Sequence, residues 1–190
     1  MKLVVPKELS ENEDRVSITP DIVPSLLKMG FKVFIESNAG VGSSYTNDDY
    51  KKSGAKITSS LSELYSKADI VVKVQRPSKK KFDESKFLKN CNIITLLYEK
   101  KFKQEFIALK KLNINVFALE KMPRISRAQS MDVLSSQSNL SGYKAVVDAA
   151  SLFNKAFPLM MTSAGTVAPA KVLIIGAGVA GLQAIATAKR

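Results

Sequence analysis

Short runs of β-branched and aromatic residues alternate with stretches of helical spacing from the start of the chain. Residues 3–5, 31–35, 70–74, 93–97 and 116–119 read as strands, each bounded by polar or turn-forming positions. Between them, Ile22, Leu26 and Leu27 share one face after Pro20, and Phe102, Phe106, Leu109 and Leu112 recur at i, i+4, i+7 and i+10. Gly30 stands where a helix C-terminus takes a left-handed residue. Strands alternating with helices predict an α/β fold with a doubly wound, largely parallel sheet, because parallel neighbours need crossovers that helices supply.

The texture changes near residue 120. A polar stretch over 122–130 interrupts the alternation, and a helical pattern follows over 134–157 with Tyr143, Val146, Val147, Ala150 and Phe153 as its apolar stripe. Pro158 is expected to stop that helix, and a loop of small residues over 163–169 leads into an apolar strand at 172–175. The expected organisation is an N-terminal βα domain over 1–125, a loop and bridging helix over 126–164, and the start of a second Rossmann-like domain over 165–190. One strand and one helix cannot bury a sheet, so the end at Arg190 reads as truncation of that second domain. The apolar run 172–188 is shorter than the ~20 residues of a membrane span and carries Gln183, so it reads as a buried strand, turn and helix.

Composition narrows the chemistry. Of 190 residues, 45% are hydrophobic and 24% charged, which sets disordered and fibrous classes aside. The single Cys91 cannot form an internal disulfide, and no secretory leader is recognisable, so a cytoplasmic setting is expected. Histidine is absent, which excludes Ser-His-Asp, Cys-His and zinc chemistries within these residues. The net charge of +12 is uneven, with −1 over 1–72, +8 over 73–121 and +5 over 122–190. Lys79, Lys80 and Lys81 resemble a phosphate-contacting patch. No aromatic platform interleaves them, so solvated surface is expected and no nucleic acid, with a non-catalytic basic binding module as the alternative from another class.

One motif carries a specific mechanism. Ile174 and Ile175 precede Gly176, Gly178 and Gly181, a G-A-G-V-A-G run between a β-branched strand and a helix starting near Val179. In this setting one glycine permits the tight turn, another lets backbone approach phosphate, and a third lets the helix pack on the strand, with a dinucleotide pyrophosphate on the helix N-terminus. Gly176, Gly178, Val179, Ala180 and Gly181 are therefore candidate cofactor ligands. A tight turn needing small residues for packing alone is the alternative.

Three stretches resemble one family. The run V-P-K-E-L-S-E-N-E-D-R-V-S-I-T-P, from Val5 to Pro20, is similar to a signature shared by alanine dehydrogenases and the alpha subunit of proton-translocating NAD(P) transhydrogenases. The run P-R-I-S-R-A-Q-S-M-D-V-L-S-S-Q-S-N-L-S-G-Y-K-A-V, from Pro123 to Val146, resembles the transhydrogenase specifically, and the glycine turn fits either. The resemblance implies two Rossmann-like domains, NAD(H) as cofactor, and direct hydride transfer to NADP(H) held by a partner subunit. It further implies separate membrane components that move the proton, a homodimer, and peripheral association with the inner membrane.

Arg15 and Lys73 fall where alanine dehydrogenases hold substrate, but their catalytic histidine is replaced here by T-L-L-Y-E-K-K. Interconverting an amine and a ketone needs a proton shuttle near neutral pH, whereas hydride exchange between two nicotinamides does not, so the missing histidine favours the transhydrogenase. The structural expectation for Arg15 is a salt bridge with Glu8 or Glu13, and for Lys73 a solvated strand end. Arg124, Gln129, Asp132 and Ser135 are the residues the resemblance implies at the reacting end, with Gln129, Ser130, Met131, Asp132 and Ser135 holding nicotinamide and ribose. Their donors and acceptors match a carboxamide and a hydroxyl pair. Ser130 or Asp132 capping the following helix is the structural alternative, and Tyr143 is either a site residue or core.

Overall fold

The computed structural model describes residues 1–77, 84–88 and 90–190. The expected basic patch at Lys79, Lys80 and Lys81 lies outside the described residues, as does the Phe106 side chain. Two compact units divide the chain, Met1–Met122 and Pro123–Arg190.

The first unit is a six-stranded, wholly parallel sheet in the order β3-β2-β1-β4-β5-β6. Its elements are β1 (Lys2–Val5), α1 (Val23–Lys28), β2 (Lys32–Glu36), α2 (Asn47–Lys52), β3 (Lys56–Thr58), α3 (Leu61–Tyr65), β4 (Ile70–Gln75), β5 (Asn92–Leu96), α4 (Lys103–Lys110) and β6 (Asn115–Ala118). The five expected strands lie within about one residue of those observed. The sixth, β3, is not among them because three residues, of which only Ile57 is large and apolar, carry no readable period.

Successive residues of β1 point to opposite faces and both faces are covered. Leu3 and Val5 pack with Val33, Ile35 and Tyr50 on one side, and Val4 packs with Leu64, Val71 and Ile93 on the other. Turn chemistry supports the register. Gly30 takes φ +87° after α1, as expected, and Thr46 closes a capping box with Asp49 at the start of α2. The buried Tyr50 hydroxyl donates to the Ile18 carbonyl at 2.9 Å, and burial pushes its pKa up to about 12. Strand order reverses between β1 and β4, the place where open α/β sheets present a crevice beyond their strand ends.

The second unit holds α5 (Val133–Leu152), an antiparallel hairpin of β7 (Met160–Thr162) and β8 (Gly165–Val167), and α6 (Val179–Lys189). Helix α5 ends five residues before its expected end. Were the helix to continue, the ring of Pro158 would clash with the carbonyl four residues earlier, at Asn154, so the proline forbids the last helical turn rather than following it. The expected stripe is also corrected. Gly142 and Val146 are buried while Tyr143, Val147 and Phe153 are exposed, because α6 packs where α5 carries its smallest residue. The small-residue loop supplies the turn and second strand of the β7-β8 hairpin, with Gly165 at φ +127°.

Residues 172–175 form no strand. They pair with nothing among the described residues, and Leu173 and Ile175 are 86% and 92% exposed. An extended segment makes a ladder only beside a neighbour, so apolar character alone did not produce one. Among the described residues, no helix is long and apolar enough to cross a membrane.

Candidate functional site

In the second unit, a short 3-10 helix (Ser126–Met131) delivers the chain to Asp132, the N-cap of α5. The Asp132 carboxylate accepts the Ser135 backbone N–H at 3.0 Å and its hydroxyl at 2.7 Å. These two bonds, with the nearby Arg124 guanidinium adding to them, hold the Asp132 carboxyl below the usual carboxylate range. Asp132 thus has the capping role that is the structural alternative for this stretch.

The three glycines do three separate jobs. Gly176 adopts φ +108°, a conformation costly for any other residue. Gly178 is the N-cap of α6, with φ −76° and ψ −173°, and supplies no side-chain bond to the first turn of amides. A Cβ built there would meet nothing within 4 Å, so that side of the turn is open. A Cβ on Gly181 would lie 2.0 Å from the Gly176 carbonyl oxygen, so the third glycine lets the helix fold back onto its own turn.

A crevice of about 390 Å³ runs beside this turn. Arg124, Leu134, Ser135 and Ser138 form one wall, and Ile175, Gly176 and residues 178–181 form the other. The structure therefore brings Arg124 and Ser135 together with Gly176, Gly178, Val179, Ala180 and Gly181. Gln129, Ser130 and Met131 are exposed on the 3-10 helix and do not line the crevice, and Asp132 bears on it through Ser135. Leu134, Ser138 and Ile175 are additions that the sequence reading lacks. Ser138 has a readable signal, lying three residues after Ser135 on one helix face. The crevice combines a cation, two hydroxyls and uncapped helix amides, a donor set suited to a dinucleotide's phosphates and hydroxyls.

The first unit has its own cluster, near the carboxyl ends of β1 and β4. The expectation of a solvated Lys73 is corrected: its side chain is 1% exposed, with Nζ 2.7 Å from Glu84 and 3.7 Å from Glu8. Position 73 lies inside β4 on a face covered by the segment carrying Glu84, which a strand-end reading could not foresee. Glu8 also accepts the Val74 and Gln75 amides at 2.7 and 3.3 Å. Burial pushes its carboxyl above the usual range, with Lys73 opposing. Burial, with Glu84 second, pushes the Tyr65 hydroxyl far up. Arg15 forms the expected salt bridge, its Nε and Nη2 each 2.7 Å from a Glu13 carboxylate oxygen, and Gln75 donates to the same carboxylate at 2.6 Å.

Residues 4–141 match the family model for the alanine dehydrogenase/PNT N-terminal domain, and residues 145–190 match that for the alanine dehydrogenase/PNT C-terminal domain. An NAD(P) transhydrogenase subunit alpha polypeptide of Rhodospirillum rubrum is 51% identical over 193 aligned residues, covering all of this chain and 50% of that protein. An alanine dehydrogenase of Methanococcus maripaludis is 32% identical, covering 97% of this chain and 49% of that one. Among solved structures, the crystal structure of transhydrogenase from Sinorhizobium meliloti superposes with a TM-score of 0.91 at 41% identity, covering 100% of this chain and 54% of its own. The chain spans about half the length of the curated relatives it matches.

Proposed function

The chain belongs to the alanine dehydrogenase/PNT family, and from that premise we propose that it is the NAD(H)-binding portion of an NAD(P) transhydrogenase alpha subunit, an oxidoreductase. The observation that carries this reading is the crevice pairing Arg124 and Ser135 with an uncapped, glycine-opened helix N-terminus. Residues 165–190 open the Rossmann domain that takes the nucleotide, and 126–164 are its loop and bridging helix.

The residues present fit NAD(H), because the Cβ that Gly178 lacks would occupy the space where a pyrophosphate needs backbone amides. When bound, NADH supplies the hydride. Gly176, Gly178, Val179, Ala180 and Gly181 hold its phosphates with backbone N–H groups, and Arg124 adds positive charge. Gln129, Ser130, Met131, Asp132 and Ser135 orient its nicotinamide and ribose, with Gln129 exposed toward the second nucleotide, NADP(H), on a partner subunit. Asp132 keeps Ser135 in one orientation, so the hydroxyl is already aimed when the nucleotide arrives. No acid or base is asked of these residues, in keeping with a chain that has no histidine.

The proton-translocating step belongs to membrane components of the same enzyme. The NAD(H)-binding portion is a cytoplasmic homodimer bound peripherally to them. An amino-acid dehydrogenase is the weaker reading, since Arg15 is claimed by Glu13 and Lys73 by Glu84, leaving a carboxylate substrate to displace built-in carboxylates. The test is NADH-dependent reduction of NADP⁺ by the full-length protein with its partner subunits. Transfer supports the reading. NADH oxidation that requires pyruvate and ammonia instead would replace it with the dehydrogenase.

A further inference from the structure

We propose that Gly142, which neither lines the crevice nor belongs to the glycine turn, is a positioning residue that sets the spacing between α5 and the nucleotide-binding end of α6. This rests on the nucleotide reading above and deepens it. Gly142 sits in the interior of a 20-residue helix, where glycine is the least favoured residue after proline. A close approach explains its presence. A Cβ built at Gly142 would lie 2.1 Å from the Ala180 carbonyl oxygen, 2.9 Å from its carbonyl carbon and 3.0 Å from its Cα.

All three are backbone atoms, which cannot rotate out of the way as a side chain does. To restore an ordinary contact of about 3.5 Å from 2.1 Å, the two helices would have to separate locally by roughly 1.4 Å. Ala180 is the second residue of α6, directly after the Gly178 cap and Val179, and itself lines the crevice. Ser135, Ser138 and Asn139 lie on the same face of α5 as Gly142, one and two turns earlier, and Ser135 and Ser138 form the opposite wall. Asn139 Nδ2 donates to Gln183 Oε1 at 3.1 Å, a second tie between the helices on that face. The crevice width is therefore set where Gly142 touches Ala180. Hydrogen bonds from the first-turn amides fall off steeply when misplaced by an ångström.

Gly142→Ala, made in the full-length protein, separates this from a merely structural role when two affinities are compared, one for NADH and one for adenosine. The adenosine contacts are expected about 20 residues beyond the turn, away from α5, whereas the pyrophosphate contacts are on α6. Loss of stability alone lowers the folded fraction and leaves the ratio of the two affinities unchanged. The expected result is a fall in the NADH-to-adenosine affinity ratio of about tenfold or more, with Ser141→Ala, an exposed neighbour on the same helix, unaltered. Should Gly142→Ala not fold, Asn139→Ala removes the second tie without adding volume, and a fall of about threefold is expected. An unchanged ratio in folded Gly142→Ala, or in Asn139→Ala where that variant decides, overturns the proposal. Absence of NADH binding by the unsubstituted protein overturns the nucleotide reading itself, and this inference with it.

Discussion

Replacing Lys73 by Met keeps most of the side-chain volume but leaves Glu8 and Glu84 facing one another without a cation. Both carboxylates lie within 4 Å of Lys73 Nζ, and the three side chains are 1–3% exposed, so water cannot take over the ammonium's role. Removing one partner from a buried ion network costs about 3–5 kcal/mol, because the uncompensated charge stays buried. For a unit of 122 residues that corresponds to a fall in Tm of roughly 10–20 °C.

Urea unfolding followed by far-ultraviolet circular dichroism, at pH 7 and pH 5, reads the effect. Burial already raises the Glu8 carboxyl with Lys73 opposing, so without Lys73 it is raised further and the folded state binds a proton there first as pH falls. The deficit should therefore be largest at pH 7 and shrink by pH 5. The triple variant Glu8→Gln, Lys73→Met and Glu84→Gln, which removes every charge, should recover most of the loss. A Lys73→Met deficit below about 1 kcal/mol, or one identical at the two pH values, would refute the argument.

Gly178→Val places a branched side chain in the open space beside the turn, so NADH binding measured by fluorescence titration should be lost while Tm changes little; unchanged affinity would make the turn a packing device alone. Asp132→Asn keeps a good N-cap and should leave stability nearly unchanged, yet slow NADP⁺ reduction about tenfold with a much smaller loss of NADH affinity. Equal losses in rate and affinity would remove Asp132 from the reacting end. Burial pushes the Glu13 carboxyl up, but the hydrogen bonds it accepts from Arg15 and Gln75 outweigh burial and hold it below the usual carboxylate range. Its contribution is therefore present above the unfolded value and lost as pH falls through the folded one, so Glu13→Gln should flatten the acid loss of stability seen by urea titration between about pH 5 and 3.

Where local chemistry is strong, the structure follows the pattern read from the chain. Five strands carry enough apolar residues in period to be seen, and Gly30 marks the end of α1 by its backbone freedom alone. The edge strand β3 is illegible because its pairing with β2, not its composition, makes it a strand. Residues 172–175 show the converse, apolar enough for a strand yet without a neighbour to ladder with. The glycine turn is legible as a turn that enters a helix, since the left-handed backbone of Gly176 and the start of α6 after Gly178 are properties of one short segment, whereas Gly181 packs on the Gly176 carbonyl and not on a strand. The opposite wall is half legible. Ser135 is marked by the family resemblance, and Ser138 only by its i, i+3 spacing from Ser135 on one helix face.

What the linear order of residues determined here is local: which segments bury both faces, where left-handed backbone is needed, and that these 190 residues supply no imidazole. Tertiary structure decided what lies far apart in sequence and close in space. Lys73 is held by Glu84, eleven residues on, and Glu8, sixty-five residues back, so its charge is spent inside the protein rather than at a surface. Gly142 meets Ala180 across thirty-eight residues, and its lack of a side chain acquires meaning only where two helices touch. Burial and close approach depend on which other segments arrive at the same place, and no local pattern encodes that arrival.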